Sequence, residues 1–423
     1  MSDSAHSARP ANPVGAYLVV TAAYWAFMLS DGALRMLVLL HFHTLGFSTL
    51  QLAYLFLLYE FMGVVTNLGA GWIAARFGLT STLYAGLAIQ IAALIALSVL
   101  DPGWAIVTSV IFVMLVQGAA GVAKDLTKMS AKSAVRVLVP ENAHGQLFKW
   151  VAVLTGSKNA VKGFGFLLGA ALLATAGFET AVLAMAAVLI IILMLAAMLM
   201  PAGLPRGKAK VPFRDVFSSD PRVNALSLAR VFLFAARDVW FVVGVPVYFY
   251  TVLSDGGAES NRAAFFLIGT FMAVWIIGYG AVQAAAPKLV RQSAATLDGS
   301  VRLAQIWVGL LTLIPFALAI AAHVAGGPEE WLTVTVVIGL LVFGGVFAVN
   351  SSVHSFLILA FSRGERVTLD VGFYYMSNAA GRLLGTLLSG LSYQFLGLAG
   401  CLATAGLMAF LSWLAALRLS AER

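Results

Sequence analysis

The chain has 423 residues, 61% of them hydrophobic and only 10% charged, with a formal net charge of +8 and a mean hydropathy of +0.94. A soluble domain of this length needs far more charged surface, so soluble enzymes and soluble binding modules are excluded. The basic residues fall in short loops and inside apolar runs rather than along a polar face, so they set orientation and are not the footprint of a nucleic-acid binder.

Taken in chain order, the stretch from Met1 to Gly15 is polar, carries one Arg and lacks a small-residue cleavage pattern, so no cleaved signal peptide is expected. Apolar stretches of about 20 or more residues follow, each long enough to cross roughly 30 Å of hydrocarbon. Twelve spans are predicted, at 14–40, 50–74, 79–100, 103–133, 146–176, 178–200, 224–250, 263–286, 303–324, 331–361, 367–395 and 397–417. The loops after the even-numbered spans carry Arg76, Arg136, Arg206, Lys208, Lys210, Arg214, Lys288, Arg291, Arg363 and Arg366, whereas the opposite loops offer only Arg262. By the positive-inside rule both termini are cytoplasmic, in a bacterial inner membrane.

The Pro- and Lys-rich stretch from Pro201 to Asp220 reads as the core of a linker over 201–223, between a six-span half at 1–200 and a second at 224–423. Val38 to Thr44 in span one aligns with Val245 to Thr251 in span seven, and the same offset pairs Asp31 with Asp238. Internal duplication of this kind is typical of secondary transporters, whose sites lie near the midplane between the halves. The expected fold is therefore an all-α membrane protein of twelve transmembrane helices in two pseudo-symmetric halves.

A charge at the centre of a span costs about 2.5–3.5 kcal/mol even on insertion scales, so each needs a reason. The candidates are Asp31 and Arg35 in span one, Glu60 in span two, Lys124, Asp125 and Lys128 in span four, and Lys158 and Lys162 in span five. Arg230, Arg237 and Asp238 follow in span seven, with Asp370 and Arg382 in span eleven. Spans three, six, nine and twelve have no interior charge and can face lipid. Eight basic residues against five acids leave a surplus of three positive charges. Internal pairing alone does not produce that surplus, whereas a cavity that desolvates a multiply charged anion requires it.

Lys124, Lys128, Lys132 and Arg136 recur every four residues along one helix face, and Lys132 and Arg136 are placed to snorkel to the interface. Lys158 lies about 20 Å into its span, beyond easy snorkelling. Lys158 and Lys162 share a face and, with Lys124, suit a tetrahedral oxyanion, while Arg35 and Arg237 can grip phosphate-like oxygens bidentately. The competing reading pairs Asp31 with Arg35 locally, four residues apart, and Arg237 with a partner across the interface. Arg230, nearer the cytoplasmic end, fits either role. Asn159, Asn378 and His354, the last on one face with Asn350, can donate to the solute or bond neighbouring helices. Asp31, Glu60, Asp125 and Asp238 are coupling or counterion candidates, and Asp31 and Asp125 read as counterions to the lysines. No phosphate-cradling Gly-Lys-Ser/Thr loop, nucleophile–base pair or metal cluster is present, so no catalytic residue, cofactor or metal is expected. His41 and His43 stand without the cysteine or carboxylate that a metal site needs.

The arrangement resembles the major facilitator superfamily over the whole chain. Gly71-Trp72-Ile73-Ala74-Ala75-Arg76-Phe77-Gly78 is similar to that superfamily's loop motif between spans two and three, with Ala75 in place of the usual aspartate and Asp370 as a candidate partner for Arg76. Gln117-Gly118 with Gly121 resembles the fourth-span motif, with Met114 at its arginine position and Lys124 available for the basic role. The run from Ala123 to Phe166, with Lys124-Asp125-Leu126-Thr127-Lys128 and Ser157-Lys158-Asn159-Ala160-Val161-Lys162, is similar to the organoarsenical efflux permeases of the ArsJ type, as is Ser30 to Met36 with His41-Phe42-His43. That resemblance implies export of 1-arseno-3-phosphoglycerate, made from arsenate by a partner glyceraldehyde-3-phosphate dehydrogenase, and hence arsenate resistance. A carrier of organophosphates or phosphate needs the same basic cavity. An anion channel and a membrane receptor on the same scaffold stay open as further alternatives.

Overall fold

In lipid an unpartnered backbone amide costs several kcal/mol, so long apolar runs fold as helices, which satisfy their own amides. The computed structural model describes residues 13–138, 144–201, 218, 220–289, 296–362 and 367–420, and among these every regular element is helical. Eleven helices are long and apolar enough to cross a membrane, and the chain is a multi-pass helical membrane protein. They are α1 (Pro13–Thr44), α2 (Thr49–Leu68), α3 (Ala70–Ser98), α4 (Ile106–Leu138), α5 (His144–Ala176) and α6 (Phe178–Leu199). After the linker come α7 (Pro221–Leu253), α8 (Ala258–Leu289), α9 (Leu297–Ala325), α10 (Glu330–Phe361) and α11 (Val367–Ala416). Successive helices run in opposite senses. The side on which α1 begins and α10 ends is called the near side below, and the other the far side.

The boundaries differ from the predicted spans where polar chemistry intervenes. The α2 helix stops at Leu68 rather than 74, and Ala70 to Phe77 form a separate helical stretch that turns at Gly78 (φ 72), a conformation that needs glycine. The expected linker gives up its last three residues to α7, because Asp220 accepts from the Arg222 amide at 2.9 Å and Pro221 is preset for the first turn. The predicted eleventh and twelfth spans meet inside the element α11 at Gly397 (φ 61), where the boundary between them was expected. Arg206, Lys208, Lys210, Arg214, Arg291, Arg363 and Arg366 lie outside the described residues.

Within α7, residues Trp240–Gly244 form a π turn, which frees backbone groups that α11 supplies with partners. The Ser389 hydroxyl accepts from the Val243 and Gly244 amides at 3.2 and 3.1 Å, and the Cys401 thiol donates to the Val239 carbonyl at 3.2 Å.

Small residues let the helices that surround the centre approach closely. A Cβ on Gly165 of α5 would stand 2.5 Å from the Leu29 carbonyl of α1, and one on Gly169 would strike Ala33. Gly381 and Gly385 of α11 meet Val231 and Ala235 of α7 in the same way. Glycines also line the α2–α11 contact (Gly63, Gly390) and the α5–α8 contact (Gly163, Gly269, Gly280). Two helices without charge in the middle of their spans lie outermost: α6 exposes Val188, Ile191 and Met198, and α9 exposes Leu313, Ile320 and Val324.

Candidate functional site

A cavity of about 200 Å³ lies between α1, α2, α4, α5, α7, α8, α10 and α11. Arg35, Lys124, Lys128, Lys158, Lys162, Arg230, Arg237 and Arg382 all line it, so the eight interior basic residues, which come from five helices, meet in one space. Asn159 and Asn378 line it as well, with the carboxylates Asp125 and Asp238. Apart from Arg35, each of these residues sits in the near half of its helix or within one turn of the helix's middle. Phe166 and Phe241, rings 6.0 Å apart, meet at the deep end. Beyond them the far side is closed by His43 edge-on to Tyr250 at 4.7 Å and by Thr49 donating to Gln394 at 2.9 Å.

The carboxylates are tied to particular cations. Asp31 holds Lys162 at 2.8 Å and accepts from the Tyr59 hydroxyl at 2.5 Å. Glu60, fully buried, divides its two oxygens between Arg35 at 3.1 Å and Arg382 at 2.9 Å. Asp125 holds Lys128 at 3.1 Å and accepts from Thr66 and Asn67. Asp238 pairs with its neighbour Arg237 at 2.5 Å. The local Asp31–Arg35 pair is therefore not made: although four residues apart on α1, each turns to a different helix. Arg237 likewise takes the acid beside it rather than one across an interface.

Four carboxylates thus account for five cations, and among the described residues three remain without one. The Lys124 ammonium, buried and without a hydrogen-bond partner, lies 3.9 Å from the centre of the Tyr59 ring. Among the described residues Lys158 has no carboxylate within ion-pair distance. Arg230 donates to the Ser351 hydroxyl at 3.0 Å and stacks on Phe234 at 4.2 Å and Tyr374 at 5.0 Å, all uncharged partners. Aromatic faces stabilise a cation without neutralising it, so these three charges stay available to an anion. The Nε of both Arg35 and Arg382 is also buried and unpaired, so each guanidinium keeps a spare donor after binding Glu60. A cavity with spare planar and point-charge donors can bind a multivalent oxyanion.

Other expected residues lie elsewhere. His354 is fully buried in α10 and does not line the cavity, although the adjoining Ser355 does. Its ring nitrogens, like the amide of Asn350 one turn away, have no hydrogen-bond partner. Lys132, half-buried, rests over the Tyr375 ring at 4.2 Å. Gly71 and Arg76 belong to the helical stretch before the Gly78 turn, Arg76 exposed, and Asp370 is buried in the first turn of α11. Tyr24, Asn67, Tyr279, Gln283, Ser355 and Tyr375 line the cavity without having been singled out. Tyr279 and Gln283, one turn apart on a span with no interior charge, were the legible part of that set.

No protein-family model matches the chain, and no curated protein matches it. The reading of the cavity therefore rests on its own chemistry.

Proposed function

We propose that the chain is a secondary carrier of the major facilitator type, in the bacterial inner membrane, that exports 1-arseno-3-phosphoglycerate and so protects the cell from arsenate. The observation that carries the carrier reading is the convergence of eight cations on one cavity in which only four carboxylates pair with them. An anion with an oxyanion head at each end matches the division between lysines on α4 and α5 and arginines on α1, α7 and α11. The arsenic rests on the resemblance of Ala123 to Phe166 and of Ser30 to His43, not on the cations. Its functional partner would be a glyceraldehyde-3-phosphate dehydrogenase that makes the acyl arsenate.

Twelve spans follow if α11 crosses twice, turning at Gly397, with both termini on the near, cytoplasmic side. A duplicated architecture is supported by the glycine contacts, since Leu29 and Ala33 stand to Gly165 and Gly169 as Val231 and Ala235 stand to Gly381 and Gly385. In that register Arg35 corresponds with Arg237, two residues past Ala33 and Ala235. The glycine contacts give an offset of 202 positions, whereas the alignment that pairs Asp31 with Asp238 uses 207, so the two registers differ.

The test is arsenic accumulation in cells given arsenate, with the chain and a glyceraldehyde-3-phosphate dehydrogenase expressed singly and together. Protection only in combination is expected, and Lys158→Met abolishes it at unchanged membrane abundance. Protection against arsenite instead overturns the substrate. Uptake assays with 3-phosphoglycerate and phosphate separate the arsenical exporter from a general organophosphate carrier.

A further inference from the structure

Lys124, Lys158 and Arg230 are the groups to explain, because they leave the empty cavity with more positive charge than its carboxylates offset. While the cavity is open to water those charges are hydrated. To present it to the other side, the protein must pass through a form closed at both ends, with Phe166 and Phe241 parted only after the near side has shut. Water is then lost, and a desolvated charge without a counterion is strongly unfavourable. The penalty is specific to the empty form. A multivalent oxyanion seated among these cations replaces the missing counterions, so the loaded form closes at little electrostatic cost. The Glu60 group adds to the difference, since one carboxylate serves both Arg35 and Arg382.

We infer that the protein works as an anion exchanger, in which the empty cavity does not return and a second small multivalent oxyanion must occupy Lys124, Lys158 and Arg230 on the way back. The inference rests on the carrier reading above. Asp31, Glu60, Asp125 and Asp238 are each held by a cation, so none is a free carboxylate that could cancel the surplus by changing partners at no cost. The return anion is recognised by charge and by tetrahedral oxygens, which makes inorganic phosphate the probe of choice.

The full chain is purified into lipid vesicles loaded with radiolabelled phosphate, the membrane potential being held at zero by equal potassium and valinomycin. Release is followed into a medium containing phosphate, 3-phosphoglycerate or gluconate. Release about tenfold or more faster into either oxyanion than into gluconate is expected, as for a barrier dominated by uncompensated charge. In the Lys124→Met/Lys158→Met double variant release into phosphate or 3-phosphoglycerate should fall to within about twofold of release into gluconate, because the oxyanion is no longer held. Equal release into all three media by the wild-type protein sinks exchange and leaves the carrier reading standing. No release in any medium, with phosphate or 3-phosphoglycerate as the label, removes both. A variant that transports with the wild-type ratio shows that these cations are not the barrier; if it does not fold, the wild-type ratio decides.

Discussion

Arg382 of α11 reaches across to α2 and places its Nη2 2.9 Å from Oε2 of the fully buried Glu60. Because Arg35 of α1 holds the other oxygen, one carboxylate joins three helices. Glu60→Gln keeps the shape and removes the charge, leaving two guanidiniums facing each other. Loss of one partner of a buried pair costs about 3–5 kcal/mol, so the detergent-solubilised variant should melt well below wild type. Glu60→Gln/Arg382→Gln should recover part of the loss, and no recovery would show that Glu60 acts by packing alone.

Lys128 and Lys158 line the same cavity yet predict opposite outcomes. Lys128→Met strips Asp125 of its cation and should destabilise the empty protein by about 3 kcal/mol. Lys158→Met removes a charge that has no carboxylate, and the empty protein should be as stable as wild type or more so, while transport is lost. Thermal melting of the two variants side by side reads the difference. A destabilised Lys158→Met would contradict the assignment of a spare charge.

The anion itself should act as a stabiliser. Phosphate at about 100 times its dissociation constant adds roughly 2.7 kcal/mol to the form that binds it, so the melting temperature should rise with phosphate and not with equivalent gluconate. In the Lys124→Met/Lys158→Met variant the rise should shrink or vanish. Identical shifts in the two proteins would place the anion elsewhere.

Ser389 has a single task in the structure, accepting the two amides freed at the π turn of α7. Ser389→Ala leaves them without an acceptor in an apolar surround, at a cost of about 1–3 kcal/mol each where no other partner forms. A lower melting temperature is expected, with anion-dependent stabilisation retained. Unchanged stability would mean that the turn relaxes to an ordinary α-helix.

Most of the bundle was legible because apolar length is a one-dimensional property. The helices begin and end near the predicted limits wherever a polar loop intervenes, as at the Asp101 to Trp104 turn; the break at Gly397 falls at the expected limit between the last two spans, and the largest departure is the start of α3, at Ala70 instead of 79. The list of interior charges was legible for the same reason. Their pairing was not. Asp31 and Arg35 satisfy the spacing rule for a helical ion pair, but Lys162, 131 positions away, lies opposite Asp31 because Gly32 and Gly165 bring α1 and α5 together. Which cations stay unpaired depends on such contacts, so an excess of basic residues was legible in the sequence, whereas the identity of those without a carboxylate, Lys124, Lys158 and Arg230, was not.

The 131 positions between Asp31 and Lys162 also measure time. At about 5–20 residues per second of synthesis, Asp31 is made roughly 7–26 seconds before its lysine. Tyr59, whose hydroxyl also bonds Asp31, follows after only 28 positions, or about 1–6 seconds. The first helix therefore leaves the ribosome with an acid whose earliest-made partner in the folded protein is a tyrosine, and the lysine is made only later. The order in which the helices leave the ribosome is thus written into the contacts of one aspartate.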